Sequence, residues 1–194
     1  MLESVSYSQI GESMFRRSNS AMQNDVLSGS QIEVLARANQ LVAGNNPAEA
    51  APLFAELSHE LDALRPRRAA NLHTRAAHAY ADAGNEQLAL VQARAALTMF
   101  IQYRMIRRAP VFLANITRKF NNKGMKNAAG ALQNEFGNRI GSLPSSPPQA
   151  SAKRGILPTN CPKCGAPVHG DDTAWIDDQT AECDYCGAAI RVTR

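Results

Sequence analysis

The sequence predicts a mostly α chain, with antiparallel helix pairs stacked as a short repeat-like solenoid and a small β module at the C-terminal end. Three observations predict it. Apolar residues between Ile32 and Ile140 return at spacings of three and four, Gly44, Gly84 and Gly124 fall 40 residues apart, and all four cysteines lie in the last 34 residues of 194. Three-and-four spacing puts side chains on one helix face. Evenly spaced residues that tolerate positive φ mark evenly spaced helix ends.

The elements follow in order. Residues 1–30 are rich in Ser, Asn, Gln and Gly without a sustained period, and predict a disordered segment with at most a short helix around Ile10 to Arg16. Residues 31–140 predict three helix pairs: 31–43 with 47–64, 67–83 with 86–108, and 110–123 with 126–140. Ala50, Leu53, Phe54, Leu57, Leu61 and Leu64 share one face of the second helix. Asn46-Pro47-Ala48-Glu49 offers it a cap, a first-turn proline and an acid three residues after the cap. Leu113, Ile116 and Phe120 form a later stripe, and Ala128, Leu132, Phe136 and Ile140 another. Hydrophobic residues make up 44% of the chain but aromatics only 6%, so alanine fills much of the core, which favours closely packed helices over a β-sandwich.

In the middle pair, Ala77, Tyr80, Gly84, Ala89 and Ala96 follow a small–aromatic–glycine–alanine order, and Phe120, Gly124, Ala129 and Phe136 repeat part of it. This pattern resembles the tetratricopeptide repeat, over roughly 110 residues and in degenerate form. The first unit departs from it: Gln40 stands at the aromatic position, and Asn46-Pro47 adds a residue after the glycine. The 40-residue period also exceeds the family's usual length of about 34. The resemblance implies stacked helix pairs with a concave groove. An unrelated alanine-rich helical bundle is the alternative.

Residues 141–159 carry four prolines and four serines and predict a linker that lets the last module move. Residues 160–194 hold Cys161-Pro162-Lys163-Cys164-Gly165 and Cys183-Asp184-Tyr185-Cys186-Gly187, with 18 residues from Gly165 to Glu182 between the pairs. Two cysteines separated by two residues can turn both sulfurs toward one metal, and the following glycine permits the tight turn. Four thiolates at this spacing suit one structural zinc ion, with Cys161, Cys164, Cys183 and Cys186 as ligands. Thr173-Ala174-Trp175-Ile176 and Thr180-Ala181-Glu182 can pair as strands across Asp177-Asp178. The segment resembles a zinc ribbon over nearly its whole length. Two disulfides, a redox pair or a rubredoxin-type iron site are the alternatives; the gap length and the lack of a wider aromatic core favour zinc. His169 reads as a loop residue and Trp175 as packing over the ribbon.

Charge divides the chain. No acid lies between Gln87 and Asn134, a stretch that contains Arg94, Arg104, Arg107, Arg108, Arg118, Lys119, Lys123 and Lys126. From Cys161 to Gly187 the only base is Lys163, against Asp171, Asp172, Asp177, Asp178, Glu182 and Asp184, so these side chains sum to −5. An acidic ribbon repels phosphates. If nucleic acid binds, it binds the face from Arg104 to Lys126, and this candidate interaction patch is open to three readings: a solvated surface, a site for an acidic protein or the chain's own ribbon, or a nucleic-acid site.

The chain shows neither a phosphate-binding glycine loop, nor a histidine pair placed for an open zinc site, nor a nucleophile elbow, and it reads as non-enzymatic. Without an N-terminal secretory pattern or a membrane-length apolar run, a soluble cytoplasmic protein is expected, with no membrane partner. The expected function is a non-catalytic zinc-binding adaptor, which contacts protein partners through a helical groove and the acidic ribbon. RNA or DNA association through the basic face is the alternative, and an accessory role in a ubiquitin-like ligase system a remote one.

Overall fold

The computed structural model describes residues 26–142, 155–170 and 173–193. Six helices follow one another among them: α1 Gly29–Ala43, α2 Pro47–Leu61, α3 Pro66–Asp82, α4 Glu86–Gln102, α5 Arg108–Asn122 and α6 Lys126–Gly141. Strands β1 Ala174–Trp175, β2 Thr180–Glu182 and β3 Ala189–Arg191 make an antiparallel sheet in that order.

The helices end where the chain turns left-handed. Gly84 (φ 82°) and Gly124 (φ 77°) do so after α3 and α5. The next amide in each case reaches back five residues, Asn85 to the Tyr80 carbonyl at 2.9 Å and Met125 to Phe120 at 2.8 Å. The first pair solves the same problem differently. Gly44 keeps φ −80°, Asn45 takes φ 61°, and the Asn46 amide reaches Leu41 at 2.8 Å. The residue added before Pro47 thus shifts the left-handed position from glycine to asparagine, a residue whose short polar side chain tolerates it.

Three expectations need correction. Helix α4 stops at Gln102 and not at 108, because Arg104 adopts φ 54° and the Met105 amide closes onto the Phe100 carbonyl at 2.8 Å. Helix α2 ends at Leu61, which leaves Leu64 outside it and 75% exposed. Asn46 precedes α2 without a side-chain cap bond, while Ser28 and Asn85 do cap α1 and α4. The other stripes are buried as read: Ala50, Phe54, Leu57 and Leu61, then Leu113, Ile116 and Phe120, then Ala128, Leu132, Phe136 and Ile140.

Each helix packs on its neighbours in sequence, and α3 also meets α5 while α4 meets α6. Helix α3 lies between two cores. Its Ala69, Leu72, Ala76 and Ala79 join α1 and α2, whereas Ala70, Ala77 and Ala81 join α4, α5 and α6. A helix covered on two sides must let neighbouring backbones approach closely, which explains its alanine content. None of the described helices is long and apolar enough to cross a membrane.

The expected N-terminal segment 1–30 falls largely on residues 1–25, outside the described residues. Its end is ordered: Leu27 is buried, and Ser28 starts α1 through a reciprocal capping box with Gln31. The linker 141–159 likewise lies mostly outside them, but the module beyond it is not set apart from the helices. Cys161, Cys164, Ala166, Cys183, Cys186 and Ile190 belong to the same core as α1, α2 and one face of α3.

Candidate metal centre

Two similar turns build the site. The Gly165 amide donates to the Cys161 carbonyl at 2.8 Å and the Gly187 amide to the Cys183 carbonyl at 2.9 Å, with both glycines at positive φ (71° and 79°). The cysteine that opens each turn donates its own amide onward, Cys161 to the Ala166 carbonyl and Cys183 to Ala188. The sheet supports the second turn from both sides. Thr180, Ala181 and Glu182 of β2 pair with Arg191, Ile190 and Ala189 of β3, and Trp175 of β1 pairs with Ala181. The expected pairing of 173–176 with 180–182 is present; β3 was not anticipated.

All four thiols are buried, and their sulfurs lie within 4.8 Å of one another. Cys161 Sγ is 3.8 Å from Cys186 Sγ, and Cys164 Sγ is 3.8 Å from Cys183 Sγ. A disulfide needs about 2.05 Å, so these pairs are not bonded. Four sulfurs held tetrahedrally at about 2.3 Å from one ion have edges of about 3.8 Å. The cluster is therefore the right size to hold a metal ion. The four thiols also act on one another. Hydrogen bonds from the other three thiols hold Cys161 far below the ordinary thiol range, while those same contacts and burial push Cys164 far above it. Such a group can lose all its protons only with a cation at its centre. Backbone hydrogen bonds from Cys164 to Cys161, from Cys186 to Cys183 and from Ala188 to Cys186 further favour thiolates.

The helices supply the outer layer of the site. Asn39 of α1, 6% exposed, donates its side-chain amide to the Cys164 carbonyl at 2.8 Å. Arg68 of α3, 3% exposed, donates to the Cys183 carbonyl at 2.7 Å and is ion-paired with Glu182. Asn71 donates to the Asp184 carbonyl at 3.0 Å, and the Leu27 amide to the Cys186 carbonyl at 3.0 Å. Arg108 spans the junction, 2.7 Å from Asp184 and 2.6 Å from the Asn71 side-chain oxygen. Arg75 donates to Asn39 Oδ1 at 2.6 Å and lies over the Phe54 ring. Burial lowers the pKa of this guanidinium, while Tyr185 and Cys164 act to raise it. Both cysteine turns thus rest on a surface of buried amides and cations.

Apart from Arg108, these helical residues escaped the sequence reading. Asn39 and Cys164 are 125 residues apart, and Arg68 and Cys183 are 115 apart, so no local pattern links them. Arg68, Asn71 and His73 are the polar residues that α3 buries, and they do not share one face of it.

The basic patch is divided. Arg108 turns to the ribbon, and Lys119 and Lys123 face Asp82 at 2.6 and 3.5 Å. Arg104 sits exposed in the α4–α5 turn, Arg107 stands before α5, and Lys126 opens α6. Arg118 is exposed and donates to Asn115. Arg118, Lys119 and Lys123 do come together with His78, Asn115 and Asn122 around a cleft of about 450 Å³. His169 is exposed and outside the cysteine cluster, and the Trp175 indole donates to the Gly170 carbonyl at 3.1 Å. Asp171 and Asp172 lie outside the described residues. Comparison of the chain with protein-family models, curated proteins and solved structures gives no match.

Proposed function

We propose that the chain is a non-catalytic adaptor, in which a zinc ribbon is fixed onto a tetratricopeptide-like helical array and the joined surface binds a protein partner. One observation carries the reading: four buried cysteines, all from the chain itself, lie close enough together to hold one metal ion. A shell closed by four protein ligands leaves no position for substrate, which suits a structural ion and not a catalytic one. Zinc is the ion favoured by four thiolates in this geometry. The succession of packed helix pairs, with turns at Asn45, Gly84 and Gly124, supports the repeat-like reading, and such arrays bind peptides or partner helices. Asp184 and Glu182 are engaged by Arg108 and Arg68, so the part of the acidic ribbon left for a partner includes the exposed Asp177 and Asp178.

Nucleic-acid association is the second reading, and the cleft lined by His78, Arg118, Lys119 and Lys123 favours it. Asp82 inside that cationic group counts against it. Affinity capture of the tagged chain from its own cells, with and without nuclease, separates the two. The adaptor reading expects partners that survive nuclease and disappear with Cys161→Ser. A captured set that collapses on nuclease treatment, with binding that weakens steeply as salt rises, contradicts it.

A further inference from the structure

His73 of α3 is 1% exposed, and both of its ring nitrogens are engaged. Nδ1 lies 2.6 Å from Gln92 Oε1 and 3.1 Å from Ser58 Oγ. The Ser58 hydroxyl donates its one proton to the Ala55 carbonyl at 2.7 Å, so toward His73 its oxygen can only accept. Nδ1 therefore donates to these side-chain oxygens, and Nε2 is the nitrogen left to meet a group on its other side. Nε2 faces Asp62 Oδ1 at 2.9 Å. On the other side of the carboxylate, His59 Nδ1 stands 3.3 Å from Asp62 Oδ2. One carboxylate thus stands between two imidazole nitrogens.

The geometry points to a second metal site at the C-terminal end of α2, formed by His59, Asp62 and His73, for a borderline divalent ion of the zinc, cobalt or nickel class. The three ligand atoms lie within 4.8 Å of one another. His73 reaches Oδ1 of the carboxylate at 2.9 Å and His59 reaches Oδ2 at 3.3 Å, so the two imidazoles flank one carboxylate. Two imidazoles and one carboxylate select such an ion over calcium or magnesium, which prefer oxygen. The support of His73 is that of a metal ligand, since its second ring nitrogen is fixed as a donor to side-chain oxygens. The site lies at the C-terminal end of α2, where the negative end of the helix dipole favours a cation. Side-chain exposure of 58% for His59 and 41% for Asp62 leaves the remaining coordination positions open to water or to a ligand from outside the chain. In this the site differs from the closed cysteine centre, and it stands or falls independently of the adaptor reading.

The test is titration of the full chain, its cysteine centre already filled with zinc, with cobalt(II), followed by calorimetry and visible absorption. The expected result is one further equivalent, with ligand-field bands but no sulfur-to-cobalt charge transfer. His59→Ala and Asp62→Asn, both at exposed positions, should each weaken it at least tenfold while leaving the helical circular dichroism unchanged. Failure to take up a further equivalent overturns the site, and so does binding that both variants leave intact. Histidine ¹⁵N shifts give an independent reading: a doubly protonated His73 at neutral pH that cobalt does not perturb would show a plain imidazolium–carboxylate pair and overturn it equally.

Discussion

Arg68 shows how one side chain can join two parts of a chain. Its guanidinium gives up water to reach the Cys183 carbonyl and the Glu182 carboxylate, both more than 110 residues away in sequence. Removing it strands a buried carbonyl and a part-buried acid, and loss of one partner of such a pair costs about 3 kcal/mol. Arg68→Ala should lower stability by about that amount in urea denaturation, and Arg68→Lys should recover only part of it, because an ammonium cannot reproduce the guanidinium fork. His78 gives a residue-scale prediction of a different kind. Burial, with help from Lys119 and Arg75 and against Asp82, lowers its pKa to about 4. The unfolded chain takes up this proton near pH 6.5, where the folded chain does not. Stability from this histidine is thus full above about pH 6.5 and falls as the pH drops toward 4, by up to about 3 kcal/mol. Urea midpoints at pH 7 and pH 4.5 should converge in part for His78→Gln. Comparison with the wild-type chain separates this histidine from the thiolates, which also take up protons in acid.

Among the elements, the helix ends carry the clearest test. A Cβ at Gly84 or Gly124 would meet nothing within 4 Å, so alanine there costs only the left-handed backbone, about 1–2 kcal/mol. Gly44 has φ −80° and its nearest neighbour at an ordinary 3.4 Å, so Gly44→Ala should be tolerated. Asn45→Gly should be neutral or slightly stabilising. Thermal unfolding of the four variants should therefore split them into two pairs, against the equal roles that the 40-residue spacing suggests. The same turns show what was legible in the sequence. Apolar stripes and two of three glycines located the helices, because helix period and turn chemistry are local properties. The stop after Gln102 was hidden because it rests on Arg104 in a conformation that no arginine advertises. Strand β3 was missed because Ala189-Ile190-Arg191 is too short to show a period, and only pairing with β2 reveals it. The meeting of the four cysteines was legible, since two short-range pairs specify it. Their seat on the helices was not, since that seat consists of contacts between distant residues.

At the scale of the whole molecule, the cysteine cluster is part of the first helical core. About 30 residues bury too little apolar surface to fold alone, so on the proposed reading metal binding would supply much of the folding free energy of the C-terminal module. Because Cys161, Cys164, Cys183 and Cys186 share a core with α1, α2 and one face of α3, loss of the ion should also loosen those helices. Helices α4, α5 and α6 belong to the other core and should feel it less. The most direct test is hydrogen exchange, read by mass spectrometry, on the zinc-loaded chain before and after chelation. The account predicts that protection is lost both in residues 155–193 and on the buried faces of α1, α2 and α3, while α5 and α6 keep theirs. Loss confined to residues 155–193, with α1 to α3 unchanged, would show a ribbon merely tethered to the helices and would contradict it.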